Sequence, residues 1–275
     1  MRVYVARVVL AGQNGAMSPH KTRVSKSVAK PVAKAPRGLK SWQTLRQIAA
    51  TLRRPPPKQG VYTAYTQLRQ NYILRAAQQH FGVREDNPAP LFGKKLLDVG
   101  CGTATVAQFL ALSGAEITAI DSDVTALAQA RAAAEAFGAP ITFARAEASA
   151  LLAQTTRYDI ILVLDVFETQ HSIGKLMWVL RQLLAEGGVI IVGHISRIPR
   201  AWVYHVLLSG LVYHRTPWGS RGWRTFHTPA QLAELAHAAG LKLKGVQGLR
   251  YSVSGGLWKL TGQRTATRYL AQLTL

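Results

Sequence analysis

The chain has 275 residues, 34 Lys and Arg against 13 Asp and Glu, a net charge of +21 and one cysteine. That length holds one sizeable domain with extensions, a single thiol excludes an internal disulfide framework, and no apolar run reaches the length of a bilayer-spanning helix. The basic excess suits an anionic lipid or nucleic-acid surface and equally a solvated tail, so its distribution matters more than its size.

No Asp or Glu precedes Glu85. Residues 1–16 form a short apolar, Arg-bearing run that reads either as part of a targeting segment or as an extension upstream of Met17. Residues 18–40 are rich in Lys, Ala, Pro and Ser and too poor in bulky apolar groups to offset chain entropy, so 1–40 is read as a basic, disordered extension. Residues 41–60 are read as an amphipathic helix and a Pro-rich linker. Ser41 caps the helix, Trp42, Leu45, Ile48 and Leu52 share its apolar side, and Pro55, Pro56 and Pro57 stop it. Such a basic helix can lie in a membrane interface or pack on the folded domain. That domain spans 61–275.

Within it, 61–81 is the first helix, with Tyr65, Leu68, Tyr72 and Ile73 on one face. Residues 95–99 are a short apolar strand closed by Gly100, Cys101 and Gly102. A helix over 103–113 ends at Gly114, and a second strand over 116–120 carries Asp121 at its tip. An alanine-rich helix (124–137), a strand (141–146) ending before Glu147, a strongly apolar strand (158–166), a helix (175–185) and a fifth strand (189–195) follow. Strands alternating with helices at this spacing imply right-handed crossovers and a doubly wound, Rossmann-like sheet. Residues 199–213 look helical and apolar, and 216–224 form a loop. Thr228, Pro229 and Gln231 then mark a capped helix start. Strands over 243–253 and 265–273 close an α/β fold of seven strands, mostly parallel, with an antiparallel C-terminal strand.

The stretch 94–123 carries the chemistry. Glycines let a backbone turn sharply and approach a ligand, and the helix N-terminus behind them offers unpaired N–H groups. An acid about twenty residues on, here Asp121, can take both hydroxyls of a ribose. A dinucleotide and S-adenosylmethionine both meet this description. The dinucleotide fingerprint wants a third glycine where Thr105 stands, and Asp98 adds a carboxylate where an aminoacyl ammonium can lie, which favours S-adenosylmethionine. Cys101 reads as a small packing residue.

On LFGKKLLDVGCG, YDIILVLDV, TQLRQNYI and the tail WGSRGWRTFHTPAQL, the chain resembles class I S-adenosylmethionine-dependent methyltransferases. More narrowly it resembles the O-methyltransferases of ubiquinone biosynthesis, which act on polyprenylated phenols and catechols. The resemblance runs from about Tyr65 to the C-terminus. It implies cofactor contacts at Arg69 (methionine carboxylate), Gly100, Asp121, Glu147 (adenine amino group) and Leu164 (near the sulfonium), to which the glycine turn itself adds Gly102. It also implies a cluster of two acids and a histidine that in some members holds a magnesium-like ion. Here Asp165 and Glu168 keep the acids, while Thr169 replaces the histidine and His171 stands two places later. Arg221 and Gly222 depart from the family's histidine and aspartate.

A phenol needs help to lose its proton at neutral pH, from a metal or a base. The candidate bases are Glu168, His171 and His194, all near C-terminal ends of parallel strands, where ligands bind in open α/β sheets. The expected acceptor is a lipidic phenolic small molecule. A gate of Trp202, Leu207, Leu208, Leu211, Val212 and Trp218, with Arg197, Arg200, Arg215 and Arg221 for headgroups, suits an anionic membrane surface. The expected location is cytoplasmic, on the inner membrane face, or the mitochondrial matrix if the N-terminus is a transit peptide. Nucleic acid is disfavoured: LDVFET lacks the Asn/Asp-Pro-Pro-aromatic motif used on base amino groups. A methyltransferase of another phenolic or lipid substrate and a non-catalytic quinone binder are the alternatives.

Overall fold

A computed structural model describes residues 59–168, 170, 172–202, 223–252, 257–262 and 266–275. The readings of 1–40 and 41–58, Thr169, His171, the apolar helix beyond Trp202, and Trp218, Arg221 and Gly222 therefore lie outside the described residues. The helices are α1 (Gln59–Phe81), α2 (Thr105–Ala111), α3 (Val124–Phe137), α4 (Ile173–Leu183), the short α5 (Pro199–Trp202) and α6 (Pro229–Ala238). The strands are β1 (Lys95–Val99), β2 (Glu116–Asp121), β3 (Ile141–Arg145), β4 (Tyr158–Leu164), β5 (Leu184–Ile195), β6 (Lys242–Ser252), β7 (Leu257–Thr261) and β8 (Arg268–Thr274).

They form one sheet in the order β3-β2-β1-β4-β5-β8-β6-β7. The first five are mutually parallel, and β8 runs antiparallel to both β5 and β6. Side chains alternate across a strand, so each central strand feeds two cores. Ile161, Val163, Ile190 and Val192 pack with Met177 and Leu180 of α4 and Leu232 and Ala236 of α6. On the other face Ile160, Leu162, Val189 and Ile191 pack with Ile73 of α1, Leu110 of α2 and Ala130 of α3. Burial on both faces is why β4 reads as an unbroken apolar run rather than an alternating one.

Two expectations change. Among the described residues the sheet has eight strands, not seven: β7 pairs with β6 from Ser252↔Leu257 to Gly248↔Thr261, inside what reads as a glycine-containing connection. Leu257 and Leu260 are exposed, so this edge strand lacks the buried alternate face that reveals a strand. Strand β5 also begins at Leu184, which pairs with Tyr158, so residues 186–188, between the expected helix and strand, are absorbed into the strand.

Helix α6 begins as its sequence indicates. Thr228 Oγ1 accepts from Gln231 N (3.2 Å), Gln231 Oε1 accepts from Thr228 N (3.0 Å), and Pro229 opens the helix. Thr228→Ala frees the Gln231 N–H and lowers stability by about 1 kcal/mol, read as a shift in the urea unfolding midpoint. The chain order reverses between β1 and β4, so a crevice opens at their C-terminal ends.

Candidate active site

After β1 the backbone turns through Gly100 and Gly102, with φ of 66° and 53°. The N–H groups of Gly100 and Cys101 both donate to Ile120 O (2.8 and 3.0 Å), which ties the turn to the end of β2. A side chain at Gly100 would place its Cβ 2.6 Å from Val166 Cγ2, so glycine is required there for space as well as for conformation. The Gly102 N–H donates to Asp121 Oδ2 (2.8 Å), and the Asp123 N–H donates to Asp121 Oδ1 (2.9 Å). Turn and distant acid therefore meet. Each oxygen keeps a lone pair for a ligand hydroxyl.

Gly100, Asp121, Glu147, Leu164 and Asp165 line one cavity of about 640 Å³, within the range of small-molecule sites. Glu147 stands just ahead of the 3-10 helix Ala148–Ala153. Asp98 is buried behind the turn. Burial pushes its pKa up to about 7, with the Arg69 charge opposing and the Asp121 charge adding to the rise. The Cys101 thiol goes up to about 12, first by burial and then by Asp98 and Asp121, so it is no nucleophile at neutral pH.

Arg69 reaches the same region from α1. Its Nη1 donates to Asp165 Oδ2 at 2.6 Å, while its Nε is buried with no hydrogen-bond partner among the described residues. A buried donor left in this way suits an incoming carboxylate. The set therefore fits S-adenosylmethionine: Arg69 would take the carboxylate, Asp98 the ammonium, Asp121 the ribose, Glu147 the adenine end and Leu164 the region of the sulfonium.

The acids expected to hold a metal have other company. Asp165 sits at φ 64°, a conformation that costs a non-glycine residue about 1–2 kcal/mol. It is fixed there by two guanidinium groups, since Arg268 Nη1 donates to Asp165 Oδ1, also at 2.6 Å. Arg268 Nη1 further donates to Tyr65 OH (3.2 Å), and Arg69 and Arg268 both lie over the Tyr65 ring. Glu168 is 1% exposed. Burial disfavours the charge on Arg268, yet Tyr65, Asp165 and Glu168 outweigh this and raise its pKa. Among the described residues no group of three or more His, Cys, Asp or Glu is placed to hold a metal ion. A carboxylate whose charge is already answered by two guanidinium groups does not suit a hard dication.

His194, the third candidate base, is 1% exposed on β5, opposite Tyr269 of β8. Its Nε2 lies 3.2 Å from Nδ1 of His227, which also lies 3.1 Å from Thr225 O. A carbonyl only accepts, so Thr225 O takes a ring N–H of this histidine pair, whose two rings share a hydrogen bond. Burial and then the His227 charge lower the His194 pKa to about 3. The ring does not line the cofactor cavity. Arg268 and His227 went unrecognised in the sequence. The signal for Arg268 was a lone cation in an otherwise apolar strand, RYLAQLT.

A family model described as a methyltransferase domain matches residues 96–188. The ubiquinone biosynthesis O-methyltransferase of Methylobacterium sp. (strain 4-46) is 28% identical over 224 residues, 82% of this chain and 90% of that protein. The protein of the same name from Roseobacter denitrificans is 28% identical over 202 residues, 74% of this chain and 82% of its own. Among solved structures, magnesium protoporphyrin IX methyltransferase from Synechocystis PCC 6803 with bound SAH aligns with a TM-score of 0.54 at 17% identity, over 78% of this chain and 84% of that one. That last likeness is one of fold.

Proposed function

We propose that this chain, an S-adenosylmethionine-dependent methyltransferase, methylates a ring hydroxyl of a polyprenylated phenol or catechol on the route to ubiquinone. The observation that carries the reading is one cavity holding the glycine turn, Asp121, Glu147 and Leu164, in a chain whose relatives of that name align over most of its length. When bound, S-adenosylmethionine would supply a sulfonium-activated methyl carbon open to in-line displacement at carbon, with the thioether as leaving group. Arg69 and Asp98 hold the amino-acid end and Asp121 fixes the ribose, which sets where the reacting carbon lies relative to the end of β4. An acceptor hydroxyl would have to give up its proton to a basic group of the chain at that end. Glu168 lies in the charged cluster at that end, whereas His194 is turned toward His227 and His171 lies outside the described residues.

A polyprenyl tail keeps such an acceptor in a bilayer. No helix among the described residues is long and apolar enough to cross a membrane, and the net charge of +21 favours peripheral contact with anionic lipid. The test uses methyl-labelled S-adenosylmethionine with a polyprenylated catechol in anionic vesicles and, in parallel, a short-chain catechol in water. Label is expected in the vesicle lipid, with transfer and vesicle flotation both falling in high salt. Bound cofactor with no label in either catechol removes the phenol reading, and label unaffected by salt removes the membrane one.

A further inference from the structure

We infer that Arg268 takes the place of a divalent cation at the acidic end of β4, so that the acceptor site operates without metal; this rests on the phenol reading above only for the identity of the acceptor. Strand β8 enters the sheet beside β5, with Arg268 in register with Ile195. From there the side chain reaches Asp165, 103 residues away in sequence, at 2.6 Å. Arg69 takes the other carboxylate oxygen at the same distance, from a separate helix.

A hard dication needs several oxygen ligands with uncompensated negative charge, and both Asp165 oxygens already face guanidinium groups. It would also stand beside two largely buried guanidinium groups, whose like charge repels it. Glu168 is already under the field of Arg268. The cluster as built therefore balances its own charge. An arginine keeps its charge at every physiological pH and cannot be chelated away, so the positive charge behind Asp165 is permanent. Arg268 acts through Asp165 and is a positioning residue. It holds the carboxylate that lines the cavity and supplies the positive charge that Asp165 and Glu168 would otherwise draw from an ion.

The test titrates Mn2+ into the full chain and follows free Mn2+ by electron paramagnetic resonance. No stoichiometric uptake is expected in the unmodified protein, and methyl transfer is expected to be unchanged by EDTA. Arg268→Ala removes one of the two cations on Asp165, leaving Arg69 on Oδ2, and is expected to bind Mn2+ about ten- to a hundredfold more tightly, a gain lost again when Asp165→Asn is added. The inference is overturned if the unmodified chain takes up one equivalent of Mn2+ and Asp165→Asn abolishes it, or if EDTA stops methyl transfer and Mg2+ restores it. It also falls if a folded Arg268→Ala protein takes up no Mn2+. Should that variant not fold, the titration and the EDTA assay of the unmodified chain decide. The titration needs no acceptor, so its result stands whether or not the phenol reading survives.

Discussion

Asp121→Ala binds S-adenosylmethionine about a hundredfold or more weakly than the unmodified chain, as isothermal titration will register. A carboxylate accepting both hydroxyls of a ribose makes two charge-assisted hydrogen bonds, each worth about 1.5–3 kcal/mol. Their joint loss amounts to about 3–6 kcal/mol, or two to four powers of ten in affinity. The same change removes the acceptor for the Gly102 and Asp123 N–H groups, so the glycine turn loses its tie to β2 beyond the Ile120 carbonyl. Asp121 is partly exposed at a strand tip rather than in either core, so the far-UV circular dichroism should be retained. An alanine variant that binds the cofactor within threefold of the unmodified chain would remove Asp121 from the ribose site, and the glycine turn would then need another explanation.

The cofactor side of this pocket could be read from sequence because its parts are local. Gly100, Gly102 and Asp121 lie within one strand–helix–strand unit, where the glycine requirement and the acid at the next strand tip follow from backbone geometry. β4 declared itself through four consecutive buried aliphatic residues, and α6 through a capping box whose two bonds both form. The acceptor side draws its properties from across the chain. Asp165 and Glu168 stand in the right order for a metal, but the charge that answers them arrives from Arg268, on a strand laid down a hundred residues later. His194 likewise reads as a base at a strand tip until His227 closes on it from the loop before α6. Residue type and spacing name the groups present at a site. Long-range packing decides whether a carboxylate faces a guanidinium or an ion, and whether a histidine is free to accept a proton.

Asp98→Asn is expected to gain stability relative to the unmodified, ligand-free chain as pH rises, with the gap opening by up to about 4 kcal/mol between pH 4 and pH 8. Burial raises the Asp98 pKa to about 7 in the folded protein against an ordinary 3.8. Between those values the folded state holds a proton that the unfolded state has released, so stability falls with rising pH and levels off above 7. His194 contributes the opposite slope: with its pKa at about 3 in the fold against 6.5, the unfolded state binds the extra proton and stability falls as pH drops below 6.5. From about pH 4 to 6.5 the two slopes nearly cancel in the unmodified chain, and Asp98→Asn leaves the His194 slope uncovered. Guanidinium unfolding of both proteins across this range reads the effect directly. The carboxylate that costs stability here is the one the methionine ammonium would face. Cofactor binding should therefore draw the proton off Asp98, release it to buffer near pH 6 and tighten by up to about tenfold per pH unit toward pH 7. Titration calorimetry in buffers of different ionisation enthalpy counts that proton. Asp98→Asn should release none and bind the cofactor at least about tenfold more weakly at pH 8. Proton release that is the same in both proteins would place the ammonium elsewhere and leave Asp98 as a buried acid with no part in binding.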